Sequence, residues 1–179
     1  DEACNYLKPY VQYLNIPVYI DDILISQRNY REELMISEAN SISCEDSFDN
    51  NGFQYRLRLS ARNYNEGLIS VYVTDIRLRG IALNGDLVLA QYNNTIYGLR
   101  NGFGLAPVGL GSTFRWGGVA NLSDIIPTAG RDSLTRESIN LIASLVSSVE
   151  ASVVKMFSKY EICDNNREFL SYVYQHPNM

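Results

Sequence analysis

Residues 53–60, FQYRLRLS, put Phe53, Tyr55, Leu57 and Leu59 on one side of an extended chain and Gln54, Arg56 and Arg58 on the other. Strict alternation marks a strand with one buried face, because successive side chains leave a pleated backbone on opposite sides. Such a strand needs an apolar layer to lie against, and residues 135–160 supply one. There Ile142, Val146, Val149, Val153, Met156 and Tyr160 recur at alternating four- and three-residue steps, with Ile139, Leu145 and Phe157 widening the stripe. This is one face of a long amphipathic helix. Thr135 is its N-cap, Glu137 suits the positive end of its dipole, and Lys155 and Lys159 suit the other end. A one-faced strand and a one-faced helix predict an α+β domain with a mixed, largely antiparallel sheet packed with helices.

Outward from this pair, LISVYVTDIRLRGIAL (68–83) continues the strand pattern through Ile69, Val71 and Val73, and Asn84-Gly85 closes it. DLVLAQY (86–92) and TIYGL (95–99) add two short strands. The arginines on these strands read as the solvated side of an antiparallel sheet. Toward the N-terminus, Tyr6, Tyr10, Tyr13 and Leu14 have helical spacing, cut short by Pro9. NIPVYIDDILIS (15–26) reads as extended with a turn at Asp21-Asp22, residues 29–40 as a short helix, and SCEDSFDNNG (43–52) as an acidic loop. Residues 101–118, NGFGLAPVGLGSTFRWGG, hold six of the twelve glycines. They lack a phosphate-loop signature and read as a flexible surface loop that Trp116 packs onto the core. The expected organisation is one unit over 1–160 and a short helical extension over 161–179 leading to a following domain.

With 179 residues, 46% of them apolar, the chain can bury one good core. A net charge of −5 disfavours a broad nucleic-acid or anionic-membrane surface. No uninterrupted apolar run reaches the ~18 residues of a membrane span. Cys4, Cys44 and Cys163 are far apart and His176 is the only histidine. No metal site is expected, and the odd cysteine count suits a reducing cytoplasm. The neighbouring acids Asp21-Asp22 and Glu32-Glu33 read as solvated charge rather than an acid/base pair. The start at Asp1 reads as an excised piece of a longer protein.

One residue stands apart. In IPTAGRDSLTRES (126–138) a lone arginine, Arg131, sits between a strand end and the long helix. Arginine keeps its proton at working pH and offers a rigid fork of donors that fits phosphate or carboxylate. Pairing with Asp132 or Glu137 is the plain alternative.

The order of these features resembles the first half of the middle domain of the heat shock protein 90 family of chaperones. YLKPYVQYLNIPVYI (6–20) is similar to the segment that follows the family's ATP-binding domain. ISVYVTDIRL (69–78) is similar to a family strand, and RWGGVANLSDIIPTAGRDSLTRES (115–138) to its catalytic-loop stretch. The long helix and NREFLSYVY follow in the family's order, whereas residues 82–112 align poorly. The resemblance implies a ribosomal-protein-S5-domain-2-like fold. It places Arg131 on the arginine that reaches the γ-phosphate of ATP held by a separate N-terminal domain of the same chain. Thr128 would support that loop. Thr128, Gly130 and Asp132 depart from the family's usual Asn, Ser and Glu, so the contacts around Arg131 are expected to differ.

The piece carries no Asp-x-Gly-x-Gly motif and is expected neither to bind a cofactor nor to hydrolyse ATP alone. The parent would be the ATPase, with ATP and Mg held by its N-terminal domain. It is expected to be a homodimer that acts on client proteins, with the fragment itself a monomer. Two other readings stay open. One is a protein-binding module with no role in hydrolysis. The other is the transducer domain of a DNA-repair or topoisomerase ATPase, disfavoured because that role commonly needs a lysine and none of the three lysines lies in the loop.

Overall fold

The computed structural model describes residues 2–37, 41–62, 68–91, 94–130, 132–160 and 167–176. Two short helices, α1 (Glu2–Val11) and α2 (Tyr30–Leu34), flank a small hairpin of β1 (Tyr19–Ile20) and β2 (Ile23–Leu24). Seven strands then follow: β3 (Ser41–Asn50), β4 (Phe53–Arg62), β5 (Ile69–Leu78), β6 (Ile81–Ala82), β7 (Gly85–Gln91), β8 (Ile96–Arg100) and β9 (Phe103–Val108). β10 (Trp116–Leu122) leads into the long helix α3 (Arg136–Tyr160), and α4 (Arg167–Gln175) ends the fold.

The main sheet runs β3-β4-β5-β7-β10-β8-β9, with β6 paired to β5. Every neighbouring pair is antiparallel except β10 and β8, so the sheet is mixed and largely antiparallel, as the alternating strands imply. Two-residue turns with both residues at positive φ set several registers: Asp21-Asp22, Asn51-Gly52, Arg79-Gly80 and Asn101-Gly102. Turns of this hand match the natural twist of paired strands.

Alternation along the strands divides the side chains between two layers. On one face Leu57, Leu59, Val71, Val73, Leu87 and Leu89 pack against the α3 stripe, where Ile142, Leu145, Val146, Val149, Val153, Met156 and Phe157 are buried. Tyr160 lies past the end of that contact and is exposed. Tyr172 carries α4 into the same core through ring contact with Phe114. On the other face Val88, Leu99 and Val119 meet Tyr30 from α2, with Tyr13, Leu34, Met35 and Tyr72 around them. α3 is long and apolar enough to cross a membrane by composition alone, but 67% of that window is buried inside the fold.

Pro9 sits inside α1 rather than cutting it short, the strand read over 68–83 turns at Arg79-Gly80, and Gly85 begins β7 rather than closing a strand. Two larger expectations fail as well. The acidic stretch 43–52 is not a loop. It forms most of β3 and the turn into β4, with Cys44 and Phe48 turned toward the core. Asp46 and Ser47 compete as turn formers, and Asp46 Oδ1 does accept from the Ser47 N–H at 3.0 Å. Ten residues of ladder with β4 nevertheless hold the segment extended.

The glycine-rich stretch 101–118 is likewise built into the sheet as β9 and the start of β10. Three of its glycines, Gly102, Gly104 and Gly118, serve close approach, while Gly109 and Gly111 face open space. A Cβ on Gly104 would lie 2.2 Å from the Pro9 carbonyl oxygen, and one on Gly118 would lie 2.0 Å from that of Val88. The intervening turn is fastened to α3, because Ser112 Oγ donates to Glu150 Oε1 at 2.5 Å. Phe114 and Trp116 stack at 5.4 Å between centroids and are fully buried. Trp116 thus packs onto the core as expected.

Candidate functional site

β10 ends at Leu122, and the chain turns back on itself before entering α3. Pro127 and Leu134 form an isolated antiparallel bridge. The Thr128 N–H donates to the Ser133 carbonyl at 2.8 Å, and the Thr135 N–H donates to that of Ile126 at 2.9 Å. Residues 127–134 are therefore a closed loop, held at its neck by backbone bonds. Beneath it Ile125 and Leu134 are buried plugs, and they sit over Gly98 so closely that a Cβ there would lie 2.9 Å from Leu134 Cδ1. A side chain at this position of β8 would push the ends of Leu134 and Ile125 aside.

Hydroxyls finish the construction. Thr128 Oγ1 donates to Asp132 Oδ1 at 2.8 Å across the loop. At the helix start the Ser138 N–H reaches Thr135 Oγ1 at 3.4 Å, the N-cap read from sequence, while Ser138 Oγ accepts from the Ile126 N–H at 2.8 Å. The neck of the loop and the first turn of α3 thus share one hydrogen-bonded unit. Thr128 falls inside it. Arg131 lies outside the described residues, between Gly130 and Asp132 in sequence.

A second polar centre, on the α2 face of the sheet, escaped the sequence reading. Asp86 of β7 is almost wholly buried, its side chain 5% exposed. Arg31 grips one of its oxygens, Oδ2, through Nε at 3.0 Å and Nη2 at 2.6 Å. The other oxygen accepts from the Tyr30 hydroxyl at 2.7 Å. Asn121 Nδ2 donates to that same hydroxyl at 3.1 Å, and Asn121 Oδ1 accepts from the Gly102 N–H at 3.0 Å. Burial first, and then the bond to Asp86, push the Tyr30 phenol well above the ordinary tyrosine range, so it stays protonated and remains a donor. The Arg31 guanidinium also lies 4.6 Å from the centroid of the Tyr72 ring. The network ties α2 to β7, β10 and the β8–β9 turn. Its partners lie 55 and 56 residues from Asp86 in the case of Arg31 and Tyr30, so no local motif announces it.

The remaining candidates have ordinary explanations. Asp21 and Asp22 are the exposed residues of the first hairpin turn. Glu33 accepts from Arg28 Nε at 2.7 Å and from the Tyr13 hydroxyl at 3.2 Å, while Glu32 accepts from Asn29 Nδ2 at 2.8 Å. The His176 ring stacks on Tyr172 with centroids 4.3 Å apart. Among the described residues no group of three His, Cys, Asp or Glu could hold a metal ion. Comparison of the chain with models of known families, with curated proteins and with solved structures yields no match.

Proposed function

We propose that this chain is the middle, nucleotide-responsive unit of an ATPase chaperone of the heat shock protein 90 type, with its sheet in the ribosomal-protein-S5-domain-2-like arrangement. In this reading ATP and Mg are held by a separate N-terminal domain, and Arg131 reaches across to the γ-phosphate. A forked cation there neutralises charge that builds up on the transferring phosphoryl group. The parent acts in the cytoplasm as a homodimer and transmits the nucleotide state to client proteins.

The observation that carries the reading is the Thr128–Asp132 bond inside the closed 127–134 loop. The nearest acid in sequence to Arg131 is engaged by a hydroxyl of its own loop. That bond ties Asp132 Oδ1 into the loop and braces the segment in which Arg131 stands in sequence. The loop also joins the end of β10 to the N-terminus of α3, so force on it is delivered to the longest element of the fold.

The test is hydrolysis by the full-length parent. Arg131→Ala should leave ATP binding nearly intact and lower turnover by on the order of 10³-fold, as removal of other arginine fingers does. Arg131→Lys should recover little, because one ammonium does not reproduce the fork. Turnover unchanged in Arg131→Ala refutes the role and leaves the protein-binding module as the better account.

A further inference from the structure

A cleft of about 630 Å³ lies between α1, β9 and the turn at Pro127–Gly130. Its floor is a row of rings, Tyr6, Tyr10 and Phe103, with successive centroids 5.9 and 6.2 Å apart. The row is continuous because α1 and the turn after it rest directly on backbone: a Cβ on Gly104 would stand 2.2 Å from the Pro9 carbonyl oxygen, and one on Gly102 would stand 2.5 Å from that of Tyr13. Much of this apolar surface is open, with Tyr6 70%, Leu7 39% and Phe103 40% exposed.

Arg100, the last residue of β8, is the one charged side chain among the described residues that line the cleft. Its guanidinium makes no hydrogen bond or ion pair with any described residue. Arg28, Arg31 and Arg56 each have a carboxylate. A chain with net charge −5 has acids to spare, yet the described lining holds none opposite Arg100.

We propose that this cleft binds a peptide segment of a partner protein in which a carboxylate stands next to an aliphatic or aromatic side chain. The carboxylate pairs with the Arg100 fork, and the apolar group covers the Tyr6–Tyr10–Phe103 row. Tyrosine and arginine together are the residues that dominate protein-recognition energetics. A nucleotide fits less well. The rings would stack a base, but a polyphosphate needs several donors, and the described lining offers a single guanidinium, which one carboxylate satisfies. This site is independent of the ATPase reading, since it needs no nucleotide in a neighbouring domain.

Display selection tests it. Random dodecapeptides are panned against the folded chain and, in parallel, against Arg100→Glu and Tyr6→Ala, each first checked for wild-type circular dichroism. Clones enriched on the wild type should place Asp or Glu beside Leu, Ile, Phe or Trp. The best of them, synthesised and titrated by fluorescence anisotropy, should bind Arg100→Glu at least about tenfold more weakly, as expected for losing a charge-assisted contact. It should also weaken on Tyr6→Ala, and a version with Lys in place of the acid should bind Arg100→Glu better than it binds the wild type. Absence of enrichment on the wild type, binding that survives Arg100→Glu, or displacement of the peptide by ADP overturns the proposal.

Discussion

Replacing Arg31 by Met should cost far more than its exposed position suggests. The guanidinium is half exposed, its side chain 50% accessible, whereas the Asp86 carboxylate it holds is 5% accessible. Removing the arginine leaves the buried member of the pair charged and supported only by neighbouring tyrosines, chiefly the Tyr30 hydroxyl. Breaking a buried pair from one side costs ~3–5 kcal/mol. Because Tyr30 still donates, the low end applies, about 3 kcal/mol. Asp86→Asn leaves the member that water can reach, and its amide oxygen still accepts from Tyr30, so the cost is about 1 kcal/mol. The double substitution buries no charge and should cost only about 1.5 kcal/mol, a coupling of roughly 2.5 kcal/mol. For a domain of this size the single Arg31→Met change should lower Tm by ~6–12 °C. Trp116 is the only tryptophan and is 1% exposed, so its fluorescence during urea unfolding reports the global transition. Equal costs for the two single variants, or an additive double variant, would refute this account of the pair.

Thr128→Val removes the hydroxyl donor to Asp132 while leaving the neck of the loop intact. Stability should change by less than about 0.5 kcal/mol, and on the proposed ATPase reading turnover of the full-length parent should fall, by less than in Arg131→Ala. Gly104→Ala puts a carbon 2.2 Å from the Pro9 carbonyl oxygen, and displacing α1 to relieve it should cost ~1–3 kcal/mol. Unchanged amide exchange in α1 would contradict that reading. Burial raises the pKa of Glu150 above the ordinary carboxylate value, against the opposing Ser112 hydroxyl and Phe114 N–H. An acid raised in the native state contributes most below its unfolded pKa, and that contribution is lost as pH rises through the native one. Tm measured from acid to neutral pH should therefore fall more steeply for the wild type than for Glu150→Gln.

What could be read from sequence was periodicity. β4 and α3 each bury one face of a regular element, and their patterns of two and of alternating three and four survive in single residues such as Leu57 and Val149. What could not be read was context. Cys44, Asp46 and Phe48 do alternate, but they are diluted among turn formers, and it is the ladder to β4 that makes them a strand. The Asn51-Gly52 hairpin signal is present in the sequence, yet it was absorbed into the supposed acidic loop. Gly104 and Gly118 looked like flexibility because sequence does not show the backbone pressed against them. Thr135 could be named as an N-cap since capping is local. The grip of Arg31 on Asp86 could not, since it depends on how α2 crosses the sheet.

β3 ends the sheet, opposite the margin that α1 overlies. A ten-residue open margin is a template on which another chain could extend the ladder, the first step toward ordered aggregates. The register turns the Ser47 N–H away from β4, and Asp46 occupies it from within. Glu45, Asp46 and Asp49 add like charge along the same margin. The Lys159 ammonium, and then the Ser47 amide, hold the Asp46 carboxyl below the usual carboxylate range. The guard therefore keeps its charge further into acid than an isolated aspartate would. Protonation of Asp46 in strong acid removes this part of the guard, and copies of this chain would then stack edge to edge more readily.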